Sequence, residues 1–218
     1  MAKRRKAKRT AVDQHGATPG ENQSNELYVS KYEITTEPIH DRSYIALPEA
    51  AKAAVQRLHG LAKTNPRAAI PELLAAIAQY PQVPVLYNYL ALAYAAVGDI
   101  ERSETVILED FRLHPDYLFA RTNYAELCLR RGEHDKVPEI LGDRLDLKQL
   151  CPRRSRFHVS EVVGFYGVVG YYYWAIGRPD EAAVCYDLLC QIDPQHKMTQ
   201  RLKAKVQPNW WQRLLGGR

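Results

Sequence analysis

A period of 34 residues constrains this chain more than any other feature of it. Pro81 and Pro115 stand 34 apart, as do Gly98 and Gly132, Tyr94 and Cys128, Leu90 and Tyr124, and Ala91 and Ala125. Ala69, Ser103 and Val137 repeat the same step. A further copy begins near Val163, displaced by eleven residues: Gly132 to Gly177 and Tyr124 to Val169 are 45, and Pro115 to Pro194 is 79. A fixed period of this length marks a solenoid, because one helical hairpin cannot bury its apolar face alone and stacks on its neighbours. The expected fold is therefore all-α: a right-handed α-solenoid of about four hairpins. Such a shape points to binding rather than to chemistry.

The pattern places paired helices over 50–63 and 67–80, 84–97 and 100–114, 118–131 and 134–141, and 160–176 and 179–192. Gly98, Gly132 and Gly177 fall in the turns, where a helix ends on a left-handed residue. A proline closes a unit because it lacks an N–H and clashes with a continuing helix. Small residues (Ala91, Ala125, Gly170; Ala69, Ser103, Val137, Ala182) let backbones approach, and large ones three or four positions away fill the grooves. Residues 195–206 read as a capping helix. The solenoid thus spans 49–206, with an insertion at 152–162 that holds Arg153, Arg154, Arg156 and His158. Insertions of this kind go to loops on one face, as a binding loop or as a solvated linker.

Residues 84–117 (PVLYNYLALAYAAVGDIERSETVILEDFRLHPDY) and 163–196 (VGFYGVVGYYYWAIGRPDEAAVCYDLLCQIDPQH) closely resemble the tetratricopeptide repeat, a helix–turn–helix unit of about 34 residues. Residues 118–151 match through the first helix and turn but lose the closing proline, and 50–83 match mainly in the second helix. The resemblance implies a noncatalytic scaffold that binds a protein or peptide on its concave face. Projected onto that face are Asn88, Leu92, Phe119, Asn123, Glu126, Arg130, Gly164, Gly167, Tyr171 and Trp174. Asn88 and Asn123 resemble the asparagines with which some family members clamp a peptide carboxylate. The matching basic positions are absent, since Gly164 and Val168 stand there.

Gly164, Gly167 and Gly170 recur every third residue of one helix, each costing about 1 kcal/mol relative to alanine. Gly170 belongs to the packing column. Gly164 and Gly167 leave a floor that another backbone can approach closely. Its occupant is a partner segment, the chain's own 27–36, or its own C-terminal segment.

The net charge of +5 is misleading. Lys3, Arg4, Arg5, Lys6, Lys8 and Arg9 form a basic arm within a polar, disordered stretch over 1–26, leaving the remainder at −1. Such an arm offers weak, salt-sensitive contact to nucleic acid or another anionic surface. A nucleic-acid- or ribosome-associated factor is accordingly the alternative function. Residues 27–48 read as an extended segment and loop. In the tail 207–218, Trp210 with Leu214 and Trp211 with Leu215 make an apolar stripe that anchors the last hairpin or docks elsewhere.

Four cysteines show no CxxC pair or ligand spacing, and no apolar run follows the basic start. Both point to a reducing, cytoplasmic setting without a secretory signal. Residues 162–177 are uncharged, but sixteen residues with four tyrosines and four glycines fall short of a spanning helix of about 20 apolar residues. No HExxH, GxGxxG or GxxxxGK stands in the chain, so neither catalysis, metal nor cofactor is expected.

Overall fold

The computed structural model describes residues 32–207. Along it run β1 (Glu33–Thr35), α1 (Arg42–Ile45), α2 (Glu49–Thr64), α3 (Pro66–Gln79), α4 (Pro84–Ala96), α5 (Ile100–Leu113) and α6 (Leu118–Arg130). There follow α7 (Lys136–Leu141), α8 (Leu147–Leu150), β2 (Arg156–His158), α9 (Val159–Ala175), α10 (Pro179–Ile192) and α11 (Lys197–Val206).

Glycine and proline set where these helices stop. Gly98, Gly132 and Gly177 adopt φ of 85°, 75° and 77°, a region that costs a residue with a side chain about 1–2 kcal/mol. Just beyond them, the N–H groups of Asp99, Glu133 and Arg178 donate back to the carbonyls of Tyr94, Cys128 and Tyr173 at 2.9, 2.9 and 2.8 Å. This closes the last turn of α4, α6 and α9 in the same way. The acceptors are the residues that mark the repeat. Elsewhere Asn65, Tyr80, His114, Cys151, Asp193 and Gln207 end their helices outside the helical region, with ψ between 59° and 90°. Each precedes a proline, whose Cδ excludes the helical conformation from the residue before it.

Packing follows the order of the chain. The helices of each pair, α2–α3, α4–α5, α6–α7 and α9–α10, lie against one another, and α2, α4, α6 and α9 also meet in series. That arrangement is compatible with a stacked solenoid. The small residues of the sequence pattern sit at the contacts: Ala69, Ala91, Ser103, Ala125, Val137 and Ala182 are buried. Ser103 donates its hydroxyl to the Ala91 carbonyl at 2.9 Å, which satisfies a polar group that burial would otherwise penalise. The apolar interior divides into two clusters, one built on α1–α5 and one on α6–α11 with β2. Phe111 stacks on Tyr124 where they meet, with ring centres 4.6 Å apart.

The chain is mostly helical, compatible with the all-α expectation, but at the insertion it adds a short two-stranded ladder, so that segment is not simply a solvated linker. Its residues Arg156–His158 form a parallel ladder with Glu33–Thr35, pairing Ile34 with Phe157. Phe157 is fully buried, with the Tyr32 ring at its edge and the Arg154 guanidinium 4.3 Å from its centre. Arg156 reaches Glu33 and Glu37 at 3.1 and 2.9 Å. His158 then caps α9, its backbone N–H donating to Glu161, while Arg154 grips the buried Glu161 carboxylate at 2.9 and 2.7 Å. The chain from β1 to α1 consequently runs as a strap from the last hairpin to the first, where Tyr44 enters the first core. The second helix of the third pair is also shorter than expected, with α8 added after it. The basic arm, its residues Lys3 to Arg9, and the Trp210–Leu215 stripe lie outside the described residues.

Candidate functional site

A cleft of about 420 Å³ opens where α6, α9 and α11 converge. Its floor is apolar. Leu129 comes from α6, Val168, Tyr171, Trp174 and Ala175 from α9, and Met198 from α11. Trp174 remains 40% exposed, unusual for so large an apolar ring. The rim is charged, with Glu126 and Arg130 on one side, Arg201 and Lys205 on the other, and His134 at one end. Arg201 meets Glu126 at 3.3 Å, bridging the cleft, and Lys205 holds its Nζ 4.2 Å from the centre of the Trp174 ring. Arg130 and Arg131 share Glu104, at 3.5 and 2.6 Å. Burial raises the Tyr171 hydroxyl pKa, opposed by Arg201, so Tyr171 is neutral and able to donate at physiological pH.

The helices place these groups for simple reasons. On α9, Val168, Tyr171, Trp174 and Ala175 recur at three- and four-residue intervals, one helical face. On α11, Met198, Arg201 and Lys205 do the same. That helix can lie close to α9 because Gly167 and Gly170 carry no side chain. A Cβ on Gly167 would come within 2.9 Å of Met198 Cε, and one on Gly170 within 2.5 Å of Leu202 Cδ2.

Of the residues expected on the concave wall, Glu126, Arg130, Tyr171 and Trp174 line this cleft. Gly167 contributes by admitting α11, so the chain that approaches it is the protein's own C-terminal helix. Gly164 faces open space. Asn88 and Asn123 meet each other: the Asn123 amide donates to the Asn88 carbonyl oxygen at 3.0 Å, tying α4 to α6. Leu92 is 43% exposed, whereas Phe119 is half-buried beside Tyr117.

No protein-family model and no curated protein matches the chain. Among solved structures, "MamA RS-1 ArsTM double mutant" is similar at 15% identity and a TM-score of 0.45, over 83% of this chain and 100% of that one.

The sequence pattern missed Leu129, His134, Val168, Ala175, Met198, Arg201 and Lys205 as site residues. Those on α11 were hidden by its reading as a cap. A usable signal did exist: Lys197, Arg201, Lys203 and Lys205 on α11 are accompanied by no acidic residue. A second recess, about 600 Å³, lies under the strap between α1, the α3–α4 and α5–α6 turns and the start of α9. Its polar groups include Arg154 paired with Glu161 at 2.7 Å and His114 hydrogen-bonded to Asp110 at 2.8 Å. These satisfy one another, whereas the α6–α9–α11 cleft keeps an exposed aromatic and surplus cations.

Among the described residues, no helix is long and apolar enough to cross a membrane.

Proposed function

We propose that this chain is a noncatalytic adaptor: a right-handed tetratricopeptide-like solenoid that holds a segment of another protein in the cleft between α6, α9 and α11. The observation that carries this reading is the exposed Trp174 on an apolar floor within a charged rim. A desolvated aromatic anchor surrounded by polar groups is how protein interfaces concentrate their binding energy. Asn88, Leu92, Phe119 and Asn123 extend the same wall along α4 and α6, and Gly164 leaves room at its far end. Affinity capture with the full chain tests the reading. A partner retained by the wild type and by Leu74→Arg, on exposed α3, should be lost with Trp174→Arg. Equal capture by both variants refutes it.

A second reading follows from the six cations in the first ten residues, with no acid among them. In it the arm attaches the adaptor to nucleic acid by counterion release. RNA affinity should then fall steeply with salt and vanish on removal of residues 1–10. Unchanged affinity after that removal ends it.

A further inference from the structure

We infer that the segment held in this cleft is acidic and carries one large apolar side chain. The inference rests on the reading of the cleft as a protein-binding groove and names the chemistry of its occupant.

The rim is unbalanced. Arg201 and Lys205 on α11 stand against the single lining carboxylate of Glu126, while Arg130 and Arg131 together share Glu104. Among the described residues Lys205 has no carboxylate partner and lies over the Trp174 ring instead. Arg201 is 60% exposed on its side of the Glu126 pair, so solvent screens that contact and a second carboxylate can join it. Complementary charge steers a partner and fixes its register.

The floor supplies the other half. Lys205 covers Trp174 through an exposed cation–π contact, which is weak. A carboxylate arriving at the rim draws the ammonium off the ring and uncovers the aromatic face between Met198 and Tyr171. An aromatic or leucine side chain then fills the space that Lys205 vacates. Charge and apolar contact are thereby coupled, so neither an acidic segment without an anchor nor an apolar one without acids satisfies the cleft. Nucleic acid fits less well, because base stacking needs an open aromatic platform, and here α6 and α11 wall the ring.

The test uses the full chain with Trp210→Phe and Trp211→Phe, which leaves Trp174 as the sole tryptophan reporter. The probes are an acetylated Glu-Asp-Glu-Phe-Asp-Glu peptide, its Phe→Ser version, a version with lysine in place of every acid, and an oligouridylate. The acidic phenylalanine peptide should saturate the Trp174 fluorescence change. Its affinity should fall about tenfold or more with Phe→Ser and with the double variant Arg201→Glu, Lys205→Glu, which should gain affinity for the lysine peptide. Circular dichroism of the double variant separates lost binding from lost fold, both substitutions being at the rim. Equal binding of acidic and basic peptides overturns the acidic occupant and leaves the groove standing. No peptide response, together with a captured partner that Trp174→Arg still retains, overturns the groove and the occupant with it. A Trp174 response to oligouridylate in place of the peptide also overturns the inference.

Discussion

Met198 lies against the bare Cα of Gly167, its Cε 2.9 Å from where a Cβ would stand. The three glycines of α9 consequently serve different ends, and alanine should separate them. At Gly170 a Cβ meets Leu202 and, at 3.0 Å, the Cβ of Cys185 on the paired helix, so Gly170→Ala should lose about 1–3 kcal/mol. At Gly164 nothing stands within 4 Å, and Gly164→Ala should gain up to about 1 kcal/mol of helix stability. Urea unfolding of the two variants gives the sign of each. Shifts in the same direction would mean that α11 is not seated against α9 as described.

Buried Asp110 and partly buried His114 form a pair with one proton between them. His114 Nε2–H donates to the Pro81 carbonyl at 3.1 Å, and Nδ1 faces the Asp110 carboxyl at 2.8 Å. Burial, with Glu109 beside it, pushes the Asp110 carboxyl up to about 8, and burial holds His114 below its ordinary value. At neutral pH the carboxyl therefore keeps the proton and donates it to a neutral ring. In the unfolded chain an aspartate has released its proton by about pH 4, so between there and pH 8 the folded state binds more. Stability from this carboxyl falls as pH rises through that window. The histidine acts oppositely, but only below about 6.5, which leaves the window from about 6.5 to 8 to Asp110. There the wild type should lose up to about 1.4 kcal/mol per pH unit relative to Asp110→Asn, whose amide still donates to Nδ1. Parallel urea titrations at several pH values check this, and identical slopes refute it.

Phe157 closes the strap onto the last hairpin. Replacing this fully buried ring by alanine should cost about 3–5 kcal/mol. Because Phe157 carries the register opposite Ile34, the same change should release β1 and expose the strap around Pro38 to limited proteolysis. Arg156→Ala, which removes exposed ion pairs to Glu33 and Glu37 and one hydrogen bond to the Thr35 hydroxyl at 3.0 Å, should cost less, about 1–2 kcal/mol. Equal losses in the two variants would show that the ladder rather than the ring holds the strap.

Local chemistry by itself determined the helices, their turns and their ends. All nine expected helices form within about two residues of their predicted bounds, because glycine at a left-handed turn and proline after a helix act on the backbone regardless of surroundings. The packing columns were legible too, since Ala91, Ala125 and their partners repeat at a spacing that only stacked helices explain. Of the cleft, the α6 and α9 sides could be read from that same projection. What the tertiary structure decided was everything that depends on contacts between distant segments. The extended character of 33–35 was legible, but the three residues of 156–158 carry too little pattern to be recognised, so their pairing emerged only in space. Asn88 and Asn123, equivalent on paper to ligand-binding groups, bond to each other because α4 and α6 bring them within 3.0 Å. Likewise α11 reads as an end cap in one dimension, yet its seat on Gly167 and Gly170 turns Met198, Arg201 and Lys205 into the far wall of the cleft. Periodicity reports which face a helix buries; only the assembled chain shows which side chains meet across the remaining space.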